Sequence, residues 1–315
     1  ILLNNIFIIL VYINIMKTIK LPVYNQDPEK GVSNEYPTSN DAFRQPCLWY
    51  ISAVRNSGKS YLCSKFLAQT KKDKTFNKIY MITPSFASNR AYFGKYVDEN
   101  DVYEPTKESI NTVIQQVEKD RDEWEDYQAK LQIHKEFLNN LKQNPHLDDD
   151  TLLYYYDFIE KPTYKYDSPV KSLLILDDVI NSPAISQSSG LGKLATLNRH
   201  VAPLKEDYNG RSACGLAVII LSQSYRCQQG IGRLLRENLS LFTLFKNKQE
   251  KQIMAIEEEI GSVIDIDKFR NAYKEATDEK YGNLTIDFNP KCSQKTFRKN
   301  LNECIIFSEL ENKLI

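Results

Sequence analysis

The sequence lacks an excess of either charge. Its 41 basic side chains meet 41 acidic ones, so no global field draws it toward nucleic acid or a membrane surface, and any such contact has to come from a local patch. It also lacks a C-x-x-C pair. The six cysteines, Cys47, Cys63, Cys214, Cys227, Cys292 and Cys304, are scattered, as are the three histidines, which argues against a zinc site. The thiols are read as reduced, in an intracellular compartment. A membrane span needs about 20 apolar residues, and no stable span is expected. The apolar stretch 1–15 is uncharged and lacks the basic flank and small-residue cleavage site of a signal peptide. It precedes Met16-Lys17-Thr18 and is read as upstream translated sequence, with a hydrophobic anchor as the alternative. No internal repeat is found.

What is present is enough apolar material, 42% of 315 residues, for a sizeable core in one large domain or two smaller ones. Within an N-terminal arm over 1–46, residues 16–46 are polar and punctuated by Pro22, Pro28, Pro37 and Pro46. A core is expected over 47–290, with a helical insertion at 101–165, and a tail over 291–315. The core opens with a β-prone run at 47–52, a helix pattern at 60–70 with Leu62, Phe66 and Leu67 on one face, and a strand at 78–83 stopped by Pro84. Strand, loop, helix, strand begins an α/β domain with a parallel sheet. The runs at 172–178, 215–223 and 239–245 are apolar almost throughout, as strands buried on both faces are. A late edge strand is expected at 281–288 and an extra loop at 203–211. Residues 101–160 carry fifteen acidic and six basic side chains, with Ile110, Ile114, Val117, Trp124, Tyr127, Leu131 and Phe137 at helical steps. They predict a long amphipathic helix or helical hairpin, a solvated lid rather than a subunit-contact arm, whose acidic surface does not face DNA.

The chemistry concentrates at Ala53-Val54-Arg55-Asn56-Ser57-Gly58-Lys59-Ser60, followed by Tyr61. This is the phosphate-loop pattern G-x-x-x-x-G-K-S/T with Ala53 at its first position. Gly58 lets the backbone turn close to phosphate, and successive N–H groups at a helix start form an anion nest. Lys59 is placed to reach the β- and γ-phosphates of ATP, and the Ser60 hydroxyl to ligate Mg²⁺. Ala53 is acceptable if its φ is negative. Asp177 and Asp178 end a buried strand. Asp177 is assigned to the metal and Asp178 to the attacking water, as general base. Gln223, at the end of the next strand, is placed to sense the γ-phosphate.

Asn247-Lys248-Gln249-Glu250 mimics a guanine-reading motif, but Glu stands where Asp is needed and Asp178-Val179-Ile180-Asn181 lacks the glycine of D-x-x-G, so ATP is preferred to GTP. The arginine that completes such a site is sought among Arg55, Arg199, Arg226, Arg233 and Arg236. Candidate DNA contacts are Lys246, Lys248, Lys251, Lys291, Lys295, Arg298 and Lys299.

Leu191 to His200 with its Asn198-Arg199-His200 end, then the apolar strand ending Leu221-Ser222-Gln223-Ser224-Tyr225-Arg226, then Gly232-Arg233-Leu234-Leu235-Arg236-Glu237-Asn238, resemble the FtsK–HerA superfamily, and within it the poxvirus-type DNA-packaging ATPases of large DNA viruses, virophages and related elements. The resemblance covers about 47–290 without the insertion. It implies a RecA-like P-loop NTPase fold of the ASCE kind, a mostly parallel sheet flanked by helices. It implies a homo-oligomeric ring, a pentamer or hexamer, with double-stranded DNA through its centre, packaging a viral genome at a capsid vertex or portal component. It places the chain in the virion, the host-cell cytoplasm or the viral factory. It makes Arg199 the first choice, and Arg236 the second, for an arginine supplied to the neighbouring subunit's site.

Overall fold

The computed structural model describes residues 34–186, 190–225 and 232–307. The stretch 1–15, most of the arm, Arg226, Cys227 and the end of the tail lie outside the described residues. In chain order the elements are β1 (Leu48–Ser52), α1 (Lys59–Lys72), β2 (Lys78–Ile82), α2 (Phe86–Phe93), β3 (Val102–Tyr103), α3 (Ser109–Gln143), α4 (Asp149–Tyr155) and β4 (Ser172–Asp177). Then come α5 (Leu191–Leu197), β5 (Pro203–Tyr208), β6 (Arg211–Ala213), β7 (Leu216–Ser222), α6 (Arg233–Glu237), β8 (Leu241–Phe245), α7 (Glu250–Ile260), α8 (Ile266–Ala276), β9 (Asn283–Asp287), β10 (Phe297–Lys299) and β11 (Glu303–Cys304).

One nine-stranded sheet carries the order β11-β10-β9-β8-β1-β7-β4-β2-β3. From β8 to β3 every pair is parallel, and β9, β10 and β11 continue it antiparallel. The fold is the expected α/β architecture, a mostly parallel sheet flanked by helices. Successive strand residues point to opposite faces, so each apolar strand feeds two cores. Tyr50, Ile82, Leu174, Val218 and Phe242 pack on one face with Ile110, Val113, Ile114 and Val117 of α3 and with α5, α7 and α8. Trp49, Met81, Ile175 and Ile219 pack on the other with Leu62, Cys63, Phe66 and Leu67 of α1. Inside the sheet a polar ladder crosses three strands: the Trp49 indole donates to Thr243 Oγ1 at 2.9 Å, and Thr243 shares a hydrogen bond with Thr285 at 2.7 Å.

Four expectations are corrected. The segment 101–165 is not a solvated lid throughout. Val102 and Tyr103 pair with β2 in the main sheet, and the first two turns of α3 lie in the core because their apolar stripe covers the sheet face. Asp120, fully buried, ties the helix down through Tyr80 Oη at 3.2 Å and Lys165 Nζ at 2.9 Å. The rest of α3 runs on as half of a helical hairpin, with Phe137 against Tyr155. Residues 203–211 are not a loop but the start of the hairpin β5–β6, since Asn209 and Gly210 both take positive φ, 50° and 80°, the two-residue turn that matches strand twist. The strand over 281–288 is not an edge, because β9 is paired on both sides. The sheet also does not stop at 290: Phe297 and Arg298 are buried in it, and Lys291, Lys295 and Arg298 donate to backbone oxygens of residues 38–41 of the arm.

Ile110→Ala is expected to lower the unfolding free energy by about 2–5 kcal/mol, because the side chain is wholly buried, whereas Leu138→Ala, 40% exposed on the same helix, changes it by under about 1 kcal/mol. Denaturant titration of both variants checks it, and equal effects would return α3 to the role of a peripheral lid.

Candidate functional site

In a parallel sheet the strands' carboxyl ends share one edge, and ligands bind in the crevice outside it where the strand order reverses. β1, with neighbours on both sides drawn from the second half of the chain, is such a place. The phosphate loop leaves it there. Ala53 N–H donates to Ser222 O at 3.0 Å, joining the loop's start to the end of β7. Ala53 is not among the positive-φ residues, so its Cβ is accommodated where the pattern has glycine. The left-handed region is occupied instead by Asn56 (φ 61°) and Gly58 (φ 102°), alternating with other conformations so that N–H groups converge. Ser57 Oγ donates to Val54 O at 2.6 Å and braces the turn. Gly58 is the N-cap of α1 and supplies no side-chain cap, and no acid stands in the first turn, so the helix start keeps its affinity for an anion.

Lys59 opens α1, and burial lowers its ammonium pKa, partly opposed by the nearby Asp177 and Asp178 carboxylates. Asp177 is the last residue of β4 and 3% exposed. Burial pushes its carboxyl up to about 6, against the pull of Lys59; Asp178 adds to the rise and a hydrogen bond from Thr83 opposes it. Asn89 Nδ2 donates to its Oδ2 at 2.7 Å. Asp178 lies just past the strand with φ 54°, so it turns away from its neighbour and is exposed. Gln223, just past β7, donates its amide to Asp178 Oδ1 at 2.9 Å. Lys59, Asp177, Asp178 and Gln223 thus gather at one edge of adjacent strands.

Among the described residues no group of three or more His, Cys, Asp or Glu is clustered to hold a metal. The Ser60 hydroxyl and the Asp177 carboxylate are oxygen donors of the kind Mg²⁺ takes, and they fit an ion that draws its remaining ligands from phosphate and water.

Arg199 is not brought to this edge. It sits in the turn Asn198–His200, whose Asn198 amide donates to the carbonyl of Leu216, the first residue of β7. Seven residues of strand, about 20 Å, separate that end from Gln223. Arg236 grips Glu259 with two nitrogens, Nε at 2.9 Å and Nη2 at 3.1 Å, and lies over the Tyr225 ring. Arg233 pairs with Glu237 on the surface, and Arg55 is exposed on the phosphate loop itself. Arg226 is outside the described residues.

Of the basic candidates for DNA, Lys291, Lys295 and Arg298 hold the arm and Lys299 pairs with Glu279, whereas Lys246, Lys248 and Lys251 are exposed. Asn247 Oδ1 accepts from Gln249 N at 2.9 Å, so the guanine-like motif forms a turn into α7. Thr83 and Asn89 were not anticipated. The signal for Thr83 was available: a polar residue at the carboxyl end of a parallel strand, before Pro84. Asn89 is placed by α2, and no pattern marked it. Among the described residues no helix is long and apolar enough to cross a membrane.

Gly58→Ala is expected to cost about 1–2 kcal/mol of stability, measured by thermal unfolding. The penalty is in the backbone, since the added Cβ would meet Tyr281 and Phe245 at an ordinary 3.6 Å.

No protein-family model matches the chain, and no curated protein matches it in sequence. Solved structures do resemble it. One is the genome packaging NTPase B204 from Sulfolobus turreted icosahedral virus 2 in complex with AMPPCP, at 13% identity and a TM-score of 0.43, over 84% of this chain and 100% of that one. The same NTPase with sulfate aligns at 14% identity and 0.42, over 83% and 98%. The pCW3 conjugation coupling protein TcpA with ATPγS aligns at 11% and 0.43, over 84% and 62%.

Proposed function

We propose that this chain is an ATP-hydrolysing translocase of double-stranded DNA, acting as a homo-oligomeric ring that packages a viral genome into a capsid. The observation that carries the hydrolysis is the Gln223–Asp178 hydrogen bond at the edge where Lys59 and Asp177 also end. The DNA and packaging parts rest on the sequence resemblance of the Arg199, Gln223 and Arg236 segments.

The phosphates lie on the N–H groups between Ala53 and Ser60, with Lys59 between the β- and γ-phosphates. Ser60 and Asp177 would hold Mg²⁺, which when bound would supply positive charge against the phosphate oxygens. Asp178 takes the proton of the attacking water, which its exposure beside the phosphates allows. Gln223, already bonded to that carboxylate, is positioned to exchange it for the γ-phosphate, so the state of the nucleotide is felt at the end of β7. Arg199 acts on the next subunit's nucleotide, because its own lies at the far end of the sheet. Thr83 and Asn89 keep the Asp177 carboxylate oriented.

Asp178→Asn is expected to lower turnover about 10²–10⁴-fold with nucleotide binding retained, and Lys59→Ala to lose binding. Duplex DNA is expected to stimulate the wild-type rate, with a steep salt dependence from released counterions. Turnover indifferent to duplex DNA would sink translocation and leave a nucleotide-gated assembly protein; unwinding without duplex translocation would indicate a helicase of the same superfamily.

Arg199→Ala is expected to lower turnover about 10³-fold or more while leaving ATP affinity unchanged. Mixing it with Lys59→Ala subunits should restore part of the rate, since some interfaces then pair an intact loop with an intact arginine. No recovery in mixed rings would remove Arg199 from the neighbour's site.

A further inference from the structure

The outer half of the helical hairpin leaves an apolar surface in water. Leu153 is 74% exposed, Tyr156 71%, Tyr154 65% and Ile159 44%. Leu153 and Tyr156 stand three residues apart, where α4 (Asp149–Tyr155) runs into a 3₁₀ turn over Tyr156–Phe158, and that spacing places both side chains on one face. The surface is braced from behind. Asn140 Nδ2 donates to Tyr155 Oη at 2.8 Å, and His134 Nδ1 meets the Phe158 carbonyl at 2.8 Å. Large side chains held outward on a fixed support, tyrosine among them, are the composition of an interface core rather than of a solvated face.

The rim of this surface selects what can cover it. Between 148 and 160 stand five carboxylates, Asp148, Asp149, Asp150, Asp157 and Glu160, and no basic side chain; Lys161 follows at the edge. All five are exposed. DNA and an anionic lipid surface carry the same sign and are repelled, and so is the same patch on a second copy, which disfavours a two-fold contact through it. The cover has to bring cations around an apolar centre.

The chain carries such a surface elsewhere. Lys246 and Lys248 lie in the approach to α7, Lys251 in its first turn, and Met254, three residues on, is 56% exposed. α7 buries Ile253, Ile256 and Ile260, and Lys251 and Met254 are left on its exposed side. Glu250 is the one acid among residues 246–254. None of the three lysines is paired with a carboxylate among the described residues, so their charge is uncompensated within the subunit. The flexible thioether of Met254 adapts to an apolar or aromatic partner.

We propose that the α4 surface docks on the start of α7 in a second copy of this chain, with Leu153 and Tyr156 against Met254 and the acidic rim against Lys246, Lys248 and Lys251. The inference rests on the homo-oligomer of the proposed function and adds the surfaces that meet. Two unlike patches of one chain facing each other make a head-to-tail contact, which closes into a ring or extends into a filament. It also takes these three lysines out of the set of DNA contacts.

The test is sedimentation velocity of the full chain over a concentration series, with the charges reversed on each side separately and then on both. Leu153→Ser with Tyr156→Ser is expected to raise the concentration of half-assembly about tenfold or more. Asp157→Lys with Glu160→Lys is expected to raise it about a hundredfold, and Lys248→Glu with Lys251→Glu to a similar degree. A chain carrying all four reversals should recover most of the wild-type assembly, because every contact then pairs opposite signs again. If the Leu153 and Tyr156 variant does not fold, the reversals at solvated positions carry the comparison. Weakening on each side without recovery in the fourfold variant would overturn the proposal. So would loss of duplex-DNA stimulation in Lys248→Glu with Lys251→Glu while assembly is intact, which returns the lysines to DNA. A wild type that assembles, with assembly unmoved by any of these changes, keeps the ring and loses this docking; a wild type that stays monomeric with and without ATP loses both.

Discussion

The parallel hydrogen bonding of β1 to β7 on one side and β8 on the other is the constraint on which the rest depends. A strand held on both edges and buried on both faces cannot shift register without moving every side chain to the wrong core. Its carboxyl end is therefore a fixed point, and the phosphate loop is built out from it. β7 then sets the spacing to the acids. Because it lies between β1 and β4, Gln223 is one strand from the loop and one strand from Asp178, the position from which one amide can face both. The same sheet keeps Lys59 and Asp177 in partial shelter from water, where their mutual influence exceeds that of a surface pair.

Residues whose placement follows from local sequence pattern were legible in the sequence. The loop from Ala53 to Ser60 announces itself by spacing, and the runs ending in Asp177-Asp178 and Gln223 by unbroken apolarity followed by polar residues. Residues placed by tertiary structure were not. Asn89 reaches Asp177 from a helix whose pattern says nothing about its neighbours, and Tyr281 meets Gly58 only through a turn that swings it there. The hairpin at Asn209-Gly210 carried a legible signal that the surrounding polar residues obscured. Along α3, one acidic composition covered two environments: the helical steps from Ile110 to Val117 mark core, and composition averaged over the segment concealed it.

Arg199 and the phosphate loop occupy opposite ends of the strands, which gives the subunit a direction. An arginine so placed can serve a neighbour's nucleotide across a head-to-tail contact, which brings unlike ends of adjacent subunits together. Head-to-tail contacts that close make rings. The proposed motor is in this respect asymmetric within each subunit before any ring is formed.

The arm and the tail are sewn together late in the chain. Lys291 reaches Thr38 across 253 positions, and β1 finds its two partners only after β7 and β8 have been made. During synthesis from the N-terminus the central strand therefore emerges first and waits with both edges unpaired, an arrangement that invites pairing with other chains. Contacts this distant in sequence also close slowly. That interval closes only when β8, the second of its partners, has been made.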